Sequence, residues 1–296
     1  MAERSSCSAS FLMVARTGPR GLHDCRRGYL LASLLLAACG GPTIRPTTQP
    51  GADISIPLHP YFRDLRTVRA TLGRDTLTLL FDTGGGATLI TPAVARRIGC
   101  RPYGRDAGYR MTGELVEFQR CDSLALGLSG WSRRFAPVAV FDVNALLPAE
   151  LPRVDGVLAL DAFRGQVVTV DWPGGRLTVQ ASHTGDSALA VFGLPIRAAT
   201  GESGRMLTLL AKVAGRRGPL WFLIDSGDLQ GTLIDSLVQR DSLLVTRSDS
   251  LLELRVGSRP PIQLSVRRGK FIVDGVLGTD YLQRGPVALD LRSLTP

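Results

Sequence analysis

An internal repeat constrains this chain more than any other feature of its sequence. Residues 77–90 read LTLLFDTGGGATLI, and residues 220–234 read LWFLIDSGDLQGTLI. In each copy an apolar run ends in an aspartate, Asp82 or Asp225, which is followed by a small hydroxyl residue and by a glycine that permits a tight turn. Two such segments in one chain predict two similar halves that bring their aspartates face to face.

A second repeated element follows each of these segments. Residues 154–163 read VDGVLALDAF, and residues 273–282 read VDGVLGTDYL. A short apolar segment that ends in aspartate comes next in both cases, at Val167–Asp171 and at Val287–Asp290. The chain is therefore an internal duplication, and a repeat of this kind indicates the architecture more firmly than local propensity does.

The segments before each aspartate have the pattern of β-hairpins. In the first half, Leu65–Leu72 and residues 76–81 are rich in apolar and β-branched residues and are separated by a Gly-Arg-Asp turn. In the second half, residues 206–214 and 220–224 repeat this arrangement. Both aspartates are thus predicted to follow the second strand of a hairpin.

Two short segments carry helix signals. Residues 92–99 begin with proline and end with glycine, which are common at the first position and just past the end of helices. Residues 235–240 follow the second motif. We therefore predict an all-β fold with short helices, in which two lobes are related by a pseudo-twofold axis. The expected divisions are a leader over residues 1–38, a tether over 39–52, an N-terminal lobe over 53–182, a linker over 183–204 and a C-terminal lobe over 205–296.

The N-terminal residues have the pattern of an export signal. Arg26 and Arg27 precede an apolar run at residues 29–38, which is too short to span a bilayer as a mature helix. The small residues before Cys39 resemble the bacterial lipobox, which implies cleavage before Cys39 and acylation of that residue. We expect an exported protein that is lipid-anchored in the bacterial cell envelope, at the outer membrane or the periplasmic face. The alternative is a plain signal peptide with an incidental cysteine.

Composition argues against several classes of function. The formal net charge is +9, but the basic residues are scattered and form no stripe or known binding module, so we expect no nucleic-acid partner. Cys100 and Cys121 have no histidine near them, which argues against a zinc site, and we expect no metal and no cofactor. In an exported protein these two cysteines form either a disulfide or two separate buried thiols.

The repeated motifs resemble those of the pepsin and retropepsin aspartic proteases. The likeness covers most of residues 54–292 but is strong only in the two motif pairs. It implies a bilobal pepsin-like fold with Asp82 and Asp225 as a catalytic dyad. It also implies that residues next to the two aspartates, and two segments beneath them, support the dyad. The neighbouring residues are Thr83, Gly84, Ser226 and Gly227. The segments are Val157, Leu158 and Ala159 in the first half and Val276, Leu277 and Gly278 in the second. Ala159 departs from the family pattern because a glycine is expected there, and Asp228 stands where a small residue is expected.

The chemistry implied by this resemblance needs two carboxyl groups. Held about 3 Å apart, they cannot both ionise, so they share one proton. The ionised member takes a proton from a bound water, and the protonated member donates to the carbonyl oxygen of the peptide bond. Polypeptides would be the substrates, and a monomer would suffice because one chain supplies both aspartates. The glycine-containing segment 103–117, which includes Tyr109 and Met111, is predicted to be a flap over the cleft.

Two other interpretations are open at this point. The same fold can serve as a catalytically weak or inactive peptide-binding module, which the departures at Asp228 and Ala159 favour. Alternatively, each half can pair with a half of another chain, in which case the active unit would be a dimer.

Overall fold

The computed structural model describes residues 53–180, 196–199, 206–215, 217–238, 246–248, 251–257 and 260–294. The predicted leader, the predicted tether, Cys39 and most of the predicted linker lie outside these residues. Within the described ranges, no helix combines the length and apolar character needed to cross a membrane.

Strands make up most of the regular structure. Those of the N-terminal half are β1 (Ile54–Pro57), β2 (His59–Phe62), β3 (Leu65–Leu72), β4 (Asp75–Phe81), β5 (Leu89–Ile90), β6 (Tyr103–Tyr109), β7 (Leu115–Cys121), β8 (Leu124–Leu128), β9 (Trp131–Phe135), β10 (Val138–Val140), β11 (Gly156–Leu158), β12 (Val167–Asp171) and β13 (Arg176–Val179). Those of the C-terminal half are β14 (Ile196–Ala199), β15 (Thr208–Gly215), β16 (Gly218–Ile224), β17 (Thr232–Asp235), β18 (Thr246–Ser248), β19 (Leu251–Leu254), β20 (Ile262–Gly269), β21 (Gly275–Leu277) and β22 (Val287–Asp290). Among the described residues, the helices with both ends defined are α1 (Pro92–Arg97) and α2 (Thr279–Leu282), residues 236–238 are helical as well, and 3₁₀ turns lie at Val143–Ala145 and Leu160–Phe163.

The two lobes repeat one arrangement of strands around their aspartates. In the N-terminal lobe, β11 pairs in parallel with β4 and antiparallel with β5. In the C-terminal lobe, β21 pairs in parallel with β16 and antiparallel with β17. The first sheet has the order β6-β7-β10-β5-β11-β4-β3-β8-β9 with β2 beside β3, and the second has the order β14-β15-β16-β21-β17-β20-β19-β18. The predicted all-β fold with an internal duplication is therefore confirmed.

A third sheet joins the two lobes. Its strand order is β1-β13-β12-β22. Strand β22, near the C-terminus, pairs antiparallel with β12, and Val168 lies opposite Leu289 in this pairing. Because β12 follows the first repeat and β22 follows the second, backbone hydrogen bonds connect the two halves of the chain.

The apolar runs before the two aspartates are buried on both faces. This explains why they read as continuous hydrophobic sequence and not as an alternation of apolar and polar residues. The buried side chains at the ends of β4 and β16 are Leu79, Leu80, Phe81, Phe222, Leu223 and Ile224. Each strand thus carries its aspartate into the interior of the protein.

Three segments bear on the remaining sequence-based expectations. Residues 196–199, placed within the linker, form β14, because their backbone groups pair with β15 at the edge of the second sheet. Helix α1 begins at Pro92 and ends at Arg97, and Gly99 has a φ of 72°, as expected for a glycine just past the end of a helix. In the segment 235–240, Asp235 belongs to β17 and residues 236–238 are helical, while residues 239 and 240 lie outside the described residues.

The structure decides between the two alternatives for the cysteines. Cys100 and Cys121 form a disulfide, with their Cα atoms 6.0 Å apart. Cys100 lies just after α1, and Cys121 is the last residue of β7. The disulfide therefore ties the base of the hairpin formed by β6 and β7 to the helix that follows the first aspartate loop.

Candidate active site

The backbones of Asp82 and Asp225 are held in the same way in the two lobes. Asp82 N donates to Leu158 O, and Asp225 N donates to Leu277 O, each at 3.0 Å. The acceptors are the last residues of β11 and β21, which belong to the second repeated element. The segments predicted to lie beneath the loops therefore extend the parallel pairing by one hydrogen bond and place both aspartates at equivalent positions.

The two carboxyl groups face each other in the interior. Both side chains are fully buried. Asp82 Oδ1 accepts from Gly84 N at 2.9 Å, and Asp225 Oδ1 accepts from Gly227 N at 2.8 Å. Burial raises the pKa of Asp82 well above its ordinary value, and the charge of Asp225 and a hydrogen bond with it raise this pKa further; the N–H groups of Gly84 and Gly85 oppose the shift. A buried pair of this kind holds one proton jointly.

Four hydrogen bonds link the two aspartate loops. Thr83 Oγ1 donates to Ile224 O at 2.8 Å and accepts from Ser226 N at 3.0 Å. Ser226 Oγ makes the matching pair, since it donates to Phe81 O and accepts from Thr83 N, both at 3.0 Å. Because every one of these bonds joins one lobe to the other, they hold the two loops in register and the carboxyl groups face to face.

Gly84 and Gly227 are required for a reason other than the predicted turn. Neither has a positive φ; the left-handed positions in the two loops are Gly86 and Gly231. A Cβ on Gly84 would lie 2.5 Å from Asp225 Cγ, and a Cβ on Gly227 would lie 2.5 Å from Asp82 Oδ2. Each loop therefore packs its glycine directly against the carboxyl group of the other lobe, where a side chain has no room.

A Thr–Asp pair behind each loop was not identified from the sequence. Thr88 donates to Asp161 Oδ1 through its N at 2.9 Å and its Oγ1 at 2.6 Å. In the second lobe, Thr232 Oγ1 donates to Asp280 Oδ1 at 2.8 Å. Burial raises the pKa of Asp161 to about 6, although the bonds from Thr88 and the charge of Arg164 lower it. The signal was present, because the threonines and the aspartates occupy matching positions in the repeats.

Asp155 and Asp274, near the start of the second repeated element in each half, anchor strands. Asp155 Oδ2 accepts from Thr78 N at 2.9 Å, and Asp274 Oδ2 accepts from Trp221 N at 2.8 Å. Both donors lie on the strands that lead to Asp82 and Asp225. The two carboxylates thus bind backbone groups that are far from them in the sequence, and they hold β4 and β16 in place.

The two departures from the family pattern have different surroundings. Ala159 is fully buried, and its N donates to Thr88 Oγ1 at 3.1 Å. Gly278 is the equivalent residue of the second lobe, and a Cβ there would lie 2.7 Å from Gly231 Cα. The second aspartate loop is longer and leaves no room for a methyl group at this position, whereas the first lobe accommodates the methyl group of Ala159. Asp228 is also fully buried, and its Oδ1 accepts from the backbone N of Gln230, two residues further along the loop, at 3.1 Å.

The predicted flap is a hairpin of β6 and β7 whose tip lies against the C-terminal lobe. Tyr109 is half-buried at the end of β6 and pairs with Leu115. Met111, at the tip, is buried among Leu223, Leu233 and Val276 of the other lobe. The backbone of the tip also contacts the C-terminal lobe, since Met111 O accepts from Ile272 N at 2.9 Å. In this structure the flap therefore reaches across to the opposite lobe.

The sheets and the paired aspartate loops together define the architecture. The fold is bilobal and pepsin-like. Comparison with solved structures finds 328 matching chains. One is basic 7S globulin from soybean, which is 11% identical, has a TM-score of 0.50, and is matched over 82% of this chain and 93% of its own. No protein-family model and no curated protein matches the chain.

These comparisons correct one prediction made from the sequence. The assignment of the chain to the pepsin and retropepsin protease family is wrong, because no family model supports it and the matched globulin is only 11% identical. A likeness at that identity shows a shared fold and not a shared activity. The repeated motifs are close to the family pattern because they build this fold, so function has to be argued from the site itself.

Proposed function

We propose that this protein is an aspartic endopeptidase that hydrolyses peptide bonds with a water activated between Asp82 and Asp225. The observation that supports this function is the buried carboxyl pair, held by a backbone donor within each loop and by the hydroxyl groups of Thr83 and Ser226 between the loops. Two carboxyl groups buried against each other destabilise a fold, and apolar residues would fill the same space at lower free energy. Their arrangement is therefore best explained by chemistry.

In the proposed mechanism, one proton is shared by the pair before the reaction. The ionised carboxylate takes a proton from the water as the water oxygen attacks the carbonyl carbon, and the protonated carboxyl group donates to the carbonyl oxygen. The product of this step is a tetrahedral diol. When it collapses, the protonated carboxyl group donates its proton to the nitrogen, the C–N bond breaks, and the other carboxylate takes a proton from a hydroxyl group of the diol, so the pair again holds one proton. The two aspartates titrate together, so the proton is assigned to the pair.

A peptide-binding module without turnover is the second candidate function. The observation that favours it is Asp228, a third carboxyl group fully buried in the loop that carries Asp225. A further buried carboxyl group near the dyad changes the local charge on which proton sharing depends. In this case the cleft would bind extended peptides through backbone hydrogen bonds and release them unchanged.

Single substitutions of the two aspartates test the proposed activity. We expect the wild-type protein to cleave an unfolded polypeptide, and Asp82→Asn and Asp225→Asn each to lower the cleavage rate by at least about 100-fold, because either change removes the acid–base pair. Product formation is followed by mass spectrometry between acid and neutral pH. Asp64→Asn, the same substitution at an exposed aspartate between β2 and β3, is the matched control. Full activity in either aspartate variant would show that the pair is not catalytic, and binding of peptides without any cleavage by the wild-type protein would favour the second candidate.

The location and assembly of the protein are also proposals. We propose that Cys39 carries a lipid that holds an exported, monomeric enzyme at the bacterial envelope, where polypeptides are its substrates. The residues before Cys39 support the anchor, and the presence of both aspartates in one chain supports the monomer. Cys39→Ser is expected to move the protein from the membrane fraction to the soluble fraction after cell breakage. An unchanged membrane fraction would contradict the lipid anchor.

A further inference from the structure

Each lobe presents an apolar surface at three equivalent positions. They lie two residues before the aspartate, at the start of the apolar pair after the loop, and in the middle of the strand beneath it. In the N-terminal lobe these positions are Leu80, Leu89 and Val157, and in the C-terminal lobe they are Leu223, Leu233 and Val276. The first surface lies in one buried cluster with Val116 and Phe118 of the flap strand β7. In the second lobe, a different part of the flap covers the equivalent surface.

Met111 from the flap tip occupies this second surface. Its side chain is 1% exposed and lies in one cluster with Leu223, Leu233 and Val276, while Phe271 and Val273 pack at the rim. The next residues of the tip, Thr112 to Glu114, are exposed, so Met111 is the buried apolar residue among residues 111–114. We call this site the Met111 pocket.

The Met111 pocket lies beside the dyad. Leu223 stands two residues before Asp225, and alternate residues of an extended strand face the same side. The segment at Ile272 also offers a backbone N–H at the pocket, which donates to Met111 O at 2.9 Å. An extended peptide beside Asp225 would find the same two features, an apolar pocket for a side chain and a donor for its main chain.

We propose that the Met111 pocket binds an unbranched apolar side chain of an incoming peptide, and that Met111 is a resident occupant which this peptide displaces. The inference rests on the proposed function only insofar as a peptide must enter the cleft; it holds equally for a peptide-binding module. Methionine indicates the class of ligand, because the long, unbranched side chain of Met111 is buried in one cluster with Leu223, Leu233 and Val276. The flap tip therefore acts as an internal competitor.

This competition has a measurable consequence. When a binding site is open for only a fraction of the time, the observed affinity falls by that fraction. A buried methionine stabilises the occupied form through the apolar area that it removes from water. Shortening Met111 should therefore increase the open fraction and tighten the binding of a peptide with the matching side chain by about tenfold.

Binding of a peptide that copies the flap tip tests the proposal. The probe is the sequence of residues 109–115, YRMTGEL, with a fluorescent label, and its partner probe has aspartate in place of methionine. Both are titrated by anisotropy against full-length protein that carries Asp82→Asn, so that turnover does not interfere. Met111→Ser is compared in this background with the unchanged flap, with Met111→Leu, which keeps an apolar occupant, and with Leu115→Ser, which alters an exposed flap leucine.

We expect Met111→Ser to bind YRMTGEL about tenfold more tightly than the unchanged flap does, whereas Met111→Leu and Leu115→Ser bind it as the unchanged flap does. An unchanged or weaker affinity in Met111→Ser overturns the proposal, and so does an equal gain for the aspartate probe. If Met111→Ser fails to fold by circular dichroism, Met111→Ala makes the same comparison. Because binding is read without turnover, a wild-type protein that cleaves nothing would reject the proposed activity and leave this result intact.

Discussion

The carboxyl groups of this protein differ in what surrounds them, and the surroundings decide the pH at which each of them ionises. Asp290, which is half-buried, accepts hydrogen bonds from Arg292, which lower its pKa. Asp82 is fully buried and Asp161 is partly buried, and burial raises the pKa of each. The folded protein therefore binds protons at these two positions over a pH range in which the unfolded chain has released them.

The raised pKa of Asp161 predicts a pH-dependent stability. Its pKa is about 6 in the folded protein against an ordinary value of 3.8, so the folded state is favoured below about pH 4 and loses stability as the pH rises to about 6. Asp161→Asn can still accept from Thr88 but cannot ionise. We expect this variant to gain roughly 1 to 3 kcal/mol over the wild-type protein at neutral pH and to equal it near pH 4.

Denaturant unfolding at a series of pH values checks this expectation. The difference in unfolding free energy between Asp161→Asn and the wild-type protein should grow between about pH 4 and pH 6 and stay constant above that range. Asp290→Asn is the matched control, because the pKa of Asp290 is lowered and its removal should have no such effect. Two parallel curves for Asp161→Asn and the wild-type protein would contradict the assigned pKa.

The hairpin of β6 and β7, which we predict to be a flap over the cleft, is held at both ends. Its base is tied to α1 by the disulfide between Cys100 and Cys121, and its tip lies on the C-terminal lobe through Met111. Arg110 supports the tip from within the hairpin, since its Nη1 donates to Glu114 Oε2 at 2.6 Å. The flap thus has a covalently fixed base and a tip held by non-covalent contacts.

Removal of the disulfide should lower stability measurably. The bonded cysteines are separated by 21 residues in the sequence, and a loop of that length predicts a stabilisation of about 3 kcal/mol through its constraint on the unfolded chain. We expect the double variant Cys100→Ser, Cys121→Ser to lose about that much free energy of unfolding in denaturant. Reducing agent should destabilise the wild-type protein similarly and leave the double variant unchanged. Equal stability of the oxidised wild-type protein and the double variant would contradict this role.

The sequence predicts those elements that occur twice. The hairpins, the aspartate loops and the strands beneath them were all expected, because each copy supports the interpretation of the other. The docking of Met111 on the second lobe could not be predicted, since it is a contact between distant segments without a repeated partner. The same holds for β14 and for the pairing of β12 with β22, which depend on strand edges that are neighbours only in the folded chain.

In the whole molecule, two sets of contacts connect the lobes. The sheet of β1, β13, β12 and β22 joins them through backbone pairing, and the bonds of Thr83 and Ser226 join them at the aspartates. Arg164 adds a further link, since its Nη2 donates to Met206 O at 2.7 Å and its Nη1 to Leu294 O at 3.0 Å. The face-to-face position of the carboxyl groups is therefore a property of the complete chain and not of either half.

The pH dependence of kcat/KM for peptide cleavage tests the shared proton most directly. The account predicts a bell-shaped profile with two apparent pKa values that belong to the pair, because activity needs one carboxyl group ionised and the other protonated. Asp161→Asn should leave this profile in place, since Asp161 lies behind the loop and bonds to Thr88. A profile with a single ionisation, or one that Asp82→Asn leaves unchanged, would contradict the account.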